Sequence, residues 1–436
     1  MLDTLLSAPP YNMQYRPRVA MIVETFPKVS ESFILNQIAA LIRLNANVTV
    51  FALQKSGEPI THEIFQEIEN KVSIHYQGVA PLERGKKYMV GLRFLIREIA
   101  RGNLAVIRAL NFYSFGRAAL NFSLLNLVRT NQVSDDFDII HCHFGPMARL
   151  MEMIVAVLPL RGKIITTFHG YDLNVIGLSD RGRCYRRLFR NGALFTVNSE
   201  FARRRLVSLG CPKDRIEKLP AGLPLVDLHA PVRRSPSDGK TIVSIGRLTE
   251  VKGVEYSLQV VSRLKDRHKI HYNIIGDGED LPKLKQLVTE LELERVVSFL
   301  GACSQEKVRS ILASGDLFLY TGIVASNGAE ETQGLAIQEA QAAGVPVVVW
   351  DVGGVSEGLL DGETGFLTSC GDVEGTVRQV ELLLQDTDLR ERMGHRARQF
   401  ARENYDSLKL GEKLLRLYKK VAATVPQTLG QTWGLR

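Results

Sequence analysis

The 436-residue chain is short of cysteine, and its five (Cys142, Cys184, Cys211, Cys303 and Cys370) are scattered, with no close pair such as Cys-X-X-Cys. That spacing argues against a disulfide framework or a zinc site and for reduced thiols in a cytoplasm-like compartment. Long apolar runs are also missing. Stretches such as "MIVAVLPL" and "VPVVVW" fall well short of the ~20 residues that a membrane helix needs. The opening "MLDTLLSAPPYNMQYRPR" has no basic region followed by an apolar core, so no secretion signal is expected. There is no internal repeat, no low-complexity block and no basic-aromatic repeat, which sets nucleic acid aside as a partner. What is present is the composition of an ordinary soluble protein, 45% apolar and 23% charged. At ~150 residues per domain, the length implies two or three domains.

The net charge of +8 is uneven: Glu83 to Arg129 holds nine basic residues against two acidic ones. Lys86, Arg93, Arg97, Arg101 and Arg108 fall on one stripe of a helix, with Leu92, Ile96, Ile99, Val106 and Leu110 mostly on the other side. Such a face is either simply solvated or a basic surface for anionic lipid or a phosphate-bearing acceptor. Gly102-Asn103 is a candidate break in the middle.

Strand signals come in two sets. "RVAMIVETF" (18–26), "ANVTVFAL" (46–53), "FDIIHCHF" (137–144), "GKIITTFHG" (162–170) and "ALFTVNS" (193–199) are short continuous apolar runs separated by helical stretches. Runs of that kind predict strands buried on both faces, hence a parallel sheet between layers of helices. The segment 228–240, "LHAPVRRSPSDGK", then breaks the rhythm as a linker. The pattern restarts in "TIVSIGR" (241–247), "YNIIGDG" (272–278), "VVSFLG" (296–301), "LFLYTG" (317–322), "VPVVVW" (345–350) and "GFLT" (365–368). The expected architecture is α/β: two doubly wound, Rossmann-like domains, 17–227 and 241–405, facing a central cleft. Residues 1–16 form an N-terminal tail, and the helical segment in 406–436 is free to pack back across the linker. Ligands on such sheets bind at the carboxyl ends of the strands.

The residues just past those strands carry the chemistry. Gly246-Arg247 and Lys252 frame a glycine-bounded loop whose two cations suit a diphosphate. Gly276-Asp277-Gly278 resembles part of a dinucleotide fingerprint without its third glycine, and reads first as a tight turn. The fullest signal is "EETQGLAIQEAQAAG": Glu331 lies in a loop, Gly334 and Leu335 open a helix, and Glu339 falls in its first two turns. A helix N-terminus attracts phosphate or sugar oxygens, and a carboxylate can hold a vicinal pair of hydroxyls. Two glutamates at this spacing therefore suit one sugar ring each, with phosphates between. In the first half, His141 and His143 end a strand in "HCHFG"; without a third ligand, a metal site is disfavoured and His143 is an acceptor-side candidate. Thr25, Ser30 and Glu31, in the loop after the first strand, are further acceptor-side candidates.

Taken together, "GRLTEVKG", "IIGDGED", "EETQGLAIQEAQAAGVPVV" and "GGVSEGLLDGETGFL", in that order, resemble the C-terminal half of family 4 glycosyltransferases. "VETFPKVSESFILNQIAAL" and "TTFHGYDLN" resemble the members that build bacterial exopolysaccharides, the colanic-acid type in particular. The resemblance implies a GT-B fold and a retaining enzyme that uses a nucleotide sugar, with a UDP-sugar as the leading donor and no metal or other cofactor. It assigns Arg247 and Lys252 to the donor diphosphate, Glu331 to hydroxyls of the transferred sugar and Glu339 to the ribose. His169 would lie beside the anomeric centre, and backbone N–H groups at Gly334 and Leu335 would complete the anion site. Thr332-Gln333 depart from the family pattern, which usually has Gly and an aromatic or apolar residue there. The first half would bind the acceptor, a glycan or lipid-linked oligosaccharide on the inner face of the cytoplasmic membrane. The alternatives are another GT-B activity, an epimerase or a phosphorylase, or a scaffold that has lost catalysis.

Overall fold

The computed structural model describes residues 16–57, 63–77, 83–225 and 239–424. The tail and the linker read from the sequence lie almost wholly outside those residues. The thirteen described strands form two sheets. The first contains β1 (Arg18–Phe26), β2 (Asn47–Lys55), β3 (Ser73–Tyr76), β4 (Ile139–His143), β5 (Lys163–Phe168), β6 (Leu194–Val197) and β7 (Ile216–Lys218). The second contains β8 (Lys240–Ile245), β9 (Ile270–Ile275), β10 (Val297–Phe299), β11 (Leu317–Tyr320), β12 (Val347–Asp351) and β13 (Gly365–Ser369). Their orders are β3-β2-β1-β4-β5-β6-β7 and β10-β9-β8-β11-β12-β13. Every described pairing is parallel. Each sheet winds outward from its first strand in one direction and then reverses. The crevices where the order reverses, at β1/β4 and β8/β11, are where such sheets bind ligands.

The central strands are buried along their length, as their unbroken apolar runs require: all five residues of β4 are buried, as are all four of β6 and of β11. Apolar clusters lie on both faces of each sheet. Two strands go beyond the sequence reading, β3 and β7. Each is short, lies at a sheet edge and alternates exposed with half-buried residues or is half-covered, so neither presents the continuous run that marks a central strand.

The last helix, Ser407–Ala423, follows the long helix Thr387–Asn404 of the second half but packs on the first half. Leu414, Leu417, Tyr418 and Val421 enter the core beside β1 and β2, and Gly411 meets Ala40 and Leu44 of the helix Ser32–Arg43. The turn before it is pinned to residue 223 by backbone bonds, Leu223 N–H to the Tyr405 carbonyl at 2.7 Å and Ser407 N–H to the Leu223 carbonyl at 2.9 Å.

The basic segment departs from the sequence reading in two ways. The helix runs Arg84–Ala100, and Gly102, at φ +80°, turns the chain before a short 3-10 segment Leu104–Leu110. Arg108 therefore sits on a different element from Lys86, Arg93 and Arg97. Of the five apolar residues expected to face inward, only Val106 is buried; Leu92, Ile96, Ile99 and Leu110 are exposed. The inward face is made instead by Gly91, Phe94 and Leu95.

Candidate active site

The first sheet contributes His169, just past β5. The carboxylate of Asp172 accepts three backbone N–H groups, those of Gly145, His169 and Gly170, each at 3.0 Å. It thereby ties the start of the helix that follows β4 to the loop that follows β5. Burial pushes the Asp172 carboxyl up from its ordinary value, and those N–H groups pull against the shift. The His169 ring lies 4.5 Å from Phe33, 4.7 Å from Phe144 and 5.2 Å from His143, centroid to centroid. Its Nε2 shares a hydrogen bond with His143 Nδ1 at 3.0 Å. Burial holds His169 well below the ordinary histidine range and takes His143 down to about 3. Both imidazoles are therefore neutral at neutral pH.

His143, an acceptor-side candidate from the sequence, is 1% exposed and lies against His169, whose ring it orients; its Nε2 has no hydrogen-bond partner among the described residues. His141 is committed to structure, its two ring nitrogens bonded to the Tyr418 hydroxyl at 2.5 Å and to Thr167 Oγ1 at 2.6 Å. Thr25 is half-buried near the end of β1, Ser30 is exposed, and Glu31 pairs with Lys28 at 2.7 Å. Phe33, two residues further on, brings this loop beside His169.

The second sheet contributes the charged groups. Gly246 and Arg247 follow β8. Gly276 and Gly278, past β9, lie so close beneath that loop that a Cβ on either would come within 1.9 Å of the Gly246 carbonyl or 2.2 Å of the Leu248 carbonyl. These two glycines thus shape the 246–248 loop. Arg247 is exposed and its side chain has no partner among the described residues. Lys252 forms an ion pair with Glu331, to which the Tyr320 hydroxyl also donates at 3.3 Å. Burial alone would raise the Glu331 carboxyl; the Lys252 ammonium, the Gly334 N–H and the Tyr320 hydroxyl outweigh it, so the group is held below its ordinary value.

Gly334, at φ +76°, sits at the N-cap of the helix Leu335–Ala342, and no side chain caps that end. The Gly334 N–H is directed at Glu331 and the Ile337 N–H at the Gly334 carbonyl, at 2.8 Å, which leaves those of Leu335 and Ala336 for an incoming anion. The pair Gly353-Gly354 lies directly against the glutamate loop: a Cβ at either would stand 2.0 Å from the carbonyl of Glu331 or Thr332. Only glycine lets the two backbone segments approach so closely.

The carboxyl of Glu339, in the second turn of that helix, has no hydrogen-bond partner among the described residues, and burial pushes it up to about 7 against the pull of the Arg309 cation. A folded-state value above the unfolded one means that the folded chain holds an extra proton between the two. This contribution to stability is present at low pH and is lost as pH rises through about 7. The thermal midpoint of the wild type is therefore expected to fall relative to Glu339→Gln between about pH 5 and about pH 8. Parallel curves for the two proteins would refute the assignment.

The seam between the halves is built by residues that sequence reasoning placed at the donor or did not single out. Thr332 Oγ1 donates to the His169 carbonyl at 2.7 Å and accepts from Asn198 Nδ2 at 2.9 Å. The Gln333 amide makes paired bonds to Ala221, accepting its N–H at 2.8 Å and donating to its carbonyl at 3.1 Å. Glu357 accepts the N–H groups of Glu200 and Phe201, each at 2.8 Å, and pairs with Lys218 at 2.6 Å. At Thr332-Gln333, where the chain departs from the family pattern, both side chains thus bond across to the first half. Gln333→Ala would leave the Ala221 backbone groups unsatisfied, at a cost of about 1–3 kcal/mol. We expect a lower thermal midpoint and a raised donor KM in that variant, from thermal unfolding and steady-state kinetics.

Residues 30–226 match the family model described as Glycosyltransferase Family 4, and residues 227–400 match Glycosyl transferases group 1. A Salmonella typhimurium protein named as a colanic acid biosynthesis glycosyltransferase is 30% identical over 415 residues, 93% of this chain and 100% of its own length. The chain belongs to the family 4 glycosyltransferases. The amylovoran biosynthesis glycosyltransferase of Erwinia amylovora is 27% identical over 80% of this chain and 86% of its own. Among solved structures, Anabaena HepE in complex with UDP-glucose superposes with a TM-score of 0.69 at 17% identity, over 93% of this chain and 100% of that one. Sucrose-phosphate synthase of Thermosynechococcus elongatus gives 0.68 at 17% identity, over 94% and 100%. At that identity the likeness concerns the fold, which is GT-B. In this glycosyltransferase, Thr332 joins the loop of Glu331 in the second half to the backbone of His169 in the first.

Proposed function

We propose that this glycosyltransferase moves a sugar, with retention at the anomeric carbon and without a metal, from a UDP-sugar to a glycan acceptor. The acceptor is a lipid-linked oligosaccharide of exopolysaccharide synthesis, presented at the cytoplasmic membrane face. One observation carries the reading: Arg247, the Lys252–Glu331 pair, the helix start at Gly334-Leu335 and Glu339 all follow the carboxyl ends of β8 and β11, and Thr332, next to Glu331 in the chain, bonds to the His169 carbonyl of the first half. The names of the Salmonella and Erwinia relatives support the pathway, and the UDP-glucose complex of HepE supports the donor class.

In this reading Arg247 and Lys252 stabilise the negative charge that develops on the departing diphosphate, together with the helix N-terminus. Glu331 holds hydroxyls of the transferred sugar and Glu339 those of the ribose. The C1–O bond to the diphosphate breaks as the acceptor oxygen bonds C1 on the same face, and the acceptor's proton passes to the departing phosphate oxygen. His169, neutral, contacts the sugar or its phosphate. Closure of the two halves excludes water.

The test is calorimetry of UDP-, GDP- and ADP-sugars in EDTA, with Glu339→Ala as control. Binding of one nucleotide sugar without metal, lost in the variant, is the expected result. No binding across the panel by folded protein would overturn the reading.

A further inference from the structure

We propose that the segment 88–120 is a membrane-docking surface that seats the enzyme on anionic lipid through an apolar stripe bordered by arginines. Large apolar side chains are seldom exposed in this molecule, yet eleven of the sixteen exposed ones among the described residues fall within these positions. At about 100° per residue along the helix Arg84–Ala100, three faces separate. Gly91, Phe94 and Leu95 form the buried back; Met89, Leu92, Ile96 and Ile99 form an exposed stripe beside it; Arg93 and Arg97, with Lys86, form the next. Ile96, in the middle of the exposed stripe, is 60% exposed. The apolar surface continues past Gly102 into Leu104, Ile107 and Leu110, then Phe112 and Tyr113, the last 98% exposed.

The charge selects the occupant. A second copy of this chain meeting it face to face would set the same cations against one another, whereas an anionic surface would neutralise them. Here the side chains of Arg93, Arg108 and Arg117 have no hydrogen-bond or ion-pair partner among the described residues, and the net charge of 83–129 is strongly positive. Lys86 and Arg97 make only exposed pairs with the neighbouring Glu83 and Glu98, and exposed apolar residues flanked by such a net positive border match a bilayer interface: the apolar groups enter the acyl boundary while the cations meet anionic headgroups. No helix among the described residues is long and apolar enough to cross a membrane, so the contact is one of lying on the surface. The segment is held firmly to the protein beneath it, since Arg187 donates to the Ser114 carbonyl at 3.2 Å and covers the Phe115 ring at 4.6 Å.

The inference deepens the membrane-face reading above, on which it rests, but its test needs neither donor nor acceptor. The whole protein is sedimented with phosphatidylglycerol-containing vesicles and with phosphatidylcholine vesicles, across a salt series. The wild type is expected to bind the anionic vesicles selectively. Arg93→Ala/Arg97→Ala should weaken binding roughly tenfold or more at low salt. Ile96→Ser/Phe112→Ser, which leaves the charge unchanged, should abolish the binding that survives high salt. All four side chains are exposed, and the contacts of Arg97 with Glu98 and Phe94 and of Phe112 with Tyr113 are surface ones, so thermal midpoints should move little. Equal binding to both vesicles, binding to neither, or a dimer that Ile96→Ser/Phe112→Ser dissociates would each overturn the proposal. Vesicle binding that persists in an enzyme inactive on lipid-linked acceptors would leave this surface standing and overturn the acceptor reading alone.

Discussion

Replacing Arg247 by alanine is expected to lower kcat about a hundred- to thousandfold, the usual cost of losing one contact that stabilises transition-state charge, while the thermal midpoint stays where it is. The two halves of that expectation have separate causes. Arg247 is exposed and its side chain touches no described partner, so truncation removes nothing the fold uses, and surface changes of that kind stay within about 0.5 kcal/mol. Its place is in the loop past β8, beside a second cation and an uncapped helix start, where a departing diphosphate would gather its charge. Lys252→Ala should lose activity to a similar degree but also lose stability, because Glu331 then keeps a buried carboxylate without its counter-ion. In that variant the Glu331 carboxyl should rise, and stability should drop further as pH increases. Kinetics and thermal unfolding on the two variants separate a charge that acts on substrate from one that also holds the protein. Normal turnover in Arg247→Ala would remove this loop from the donor site.

The central strands and the two-sheet plan were legible because a strand buried on both faces carries a continuous run of apolar and small uncharged residues: β11 is apolar throughout, and β4, β5, β8 and β12 each hold an apolar run broken only by His, Thr or Ser or ended by a charged residue. Edge strands β3 and β7 escape that logic, since half of each needs no apolar residue. The donor side of the candidate site was legible for a related reason: Arg247, Lys252, Glu331 and Glu339 are charged residues placed where strands and helices end, and the glycines around them mark close backbone approach. Three features were not. Asp172 acts only through backbone N–H groups from two loops 25 residues apart in the chain, at Gly145 and Gly170, and an acid in a loop gives no hint of that. Thr332 and Gln333 bond across the two halves to His169, Asn198 and Ala221, and contacts that distant leave no local pattern. The exposed stripe at Leu92 and Ile96 shows the third limit. Periodicity separates the faces of a helix without saying which face the protein itself will cover.

That dependence on distant backbone makes Asp172 a sensitive positioning residue. Asp172→Ala removes the acceptor for three N–H groups in a site closed to water, each costing about 1–3 kcal/mol when left unsatisfied. We expect a loss on the order of 3–5 kcal/mol in unfolding free energy, enough to lower expression of folded enzyme. Asp172→Asn is the informative partner. Its amide oxygen can still accept from His169 and Gly170, which share one carboxylate oxygen, while its NH2 would face the Gly145 N–H donor to donor. The fold should survive with a smaller penalty, and the loop after β5 should detach from the helix Gly145–Val157. His169 then shifts relative to the second half, to which Thr332 ties its carbonyl, and a displacement of about 1 Å at a reacting centre costs up to a hundredfold in rate. The expected signature in Asp172→Asn is a kcat lowered by one to two orders of magnitude with nucleotide affinity nearly unchanged, because the nucleotide contacts belong to the second sheet. If calorimetry instead finds donor binding lost with kcat, the two halves are coupled through Thr332 more tightly than the Asp172 tether alone requires. If kcat is unchanged while stability falls, His169 has no part in transfer and Asp172 serves the fold only.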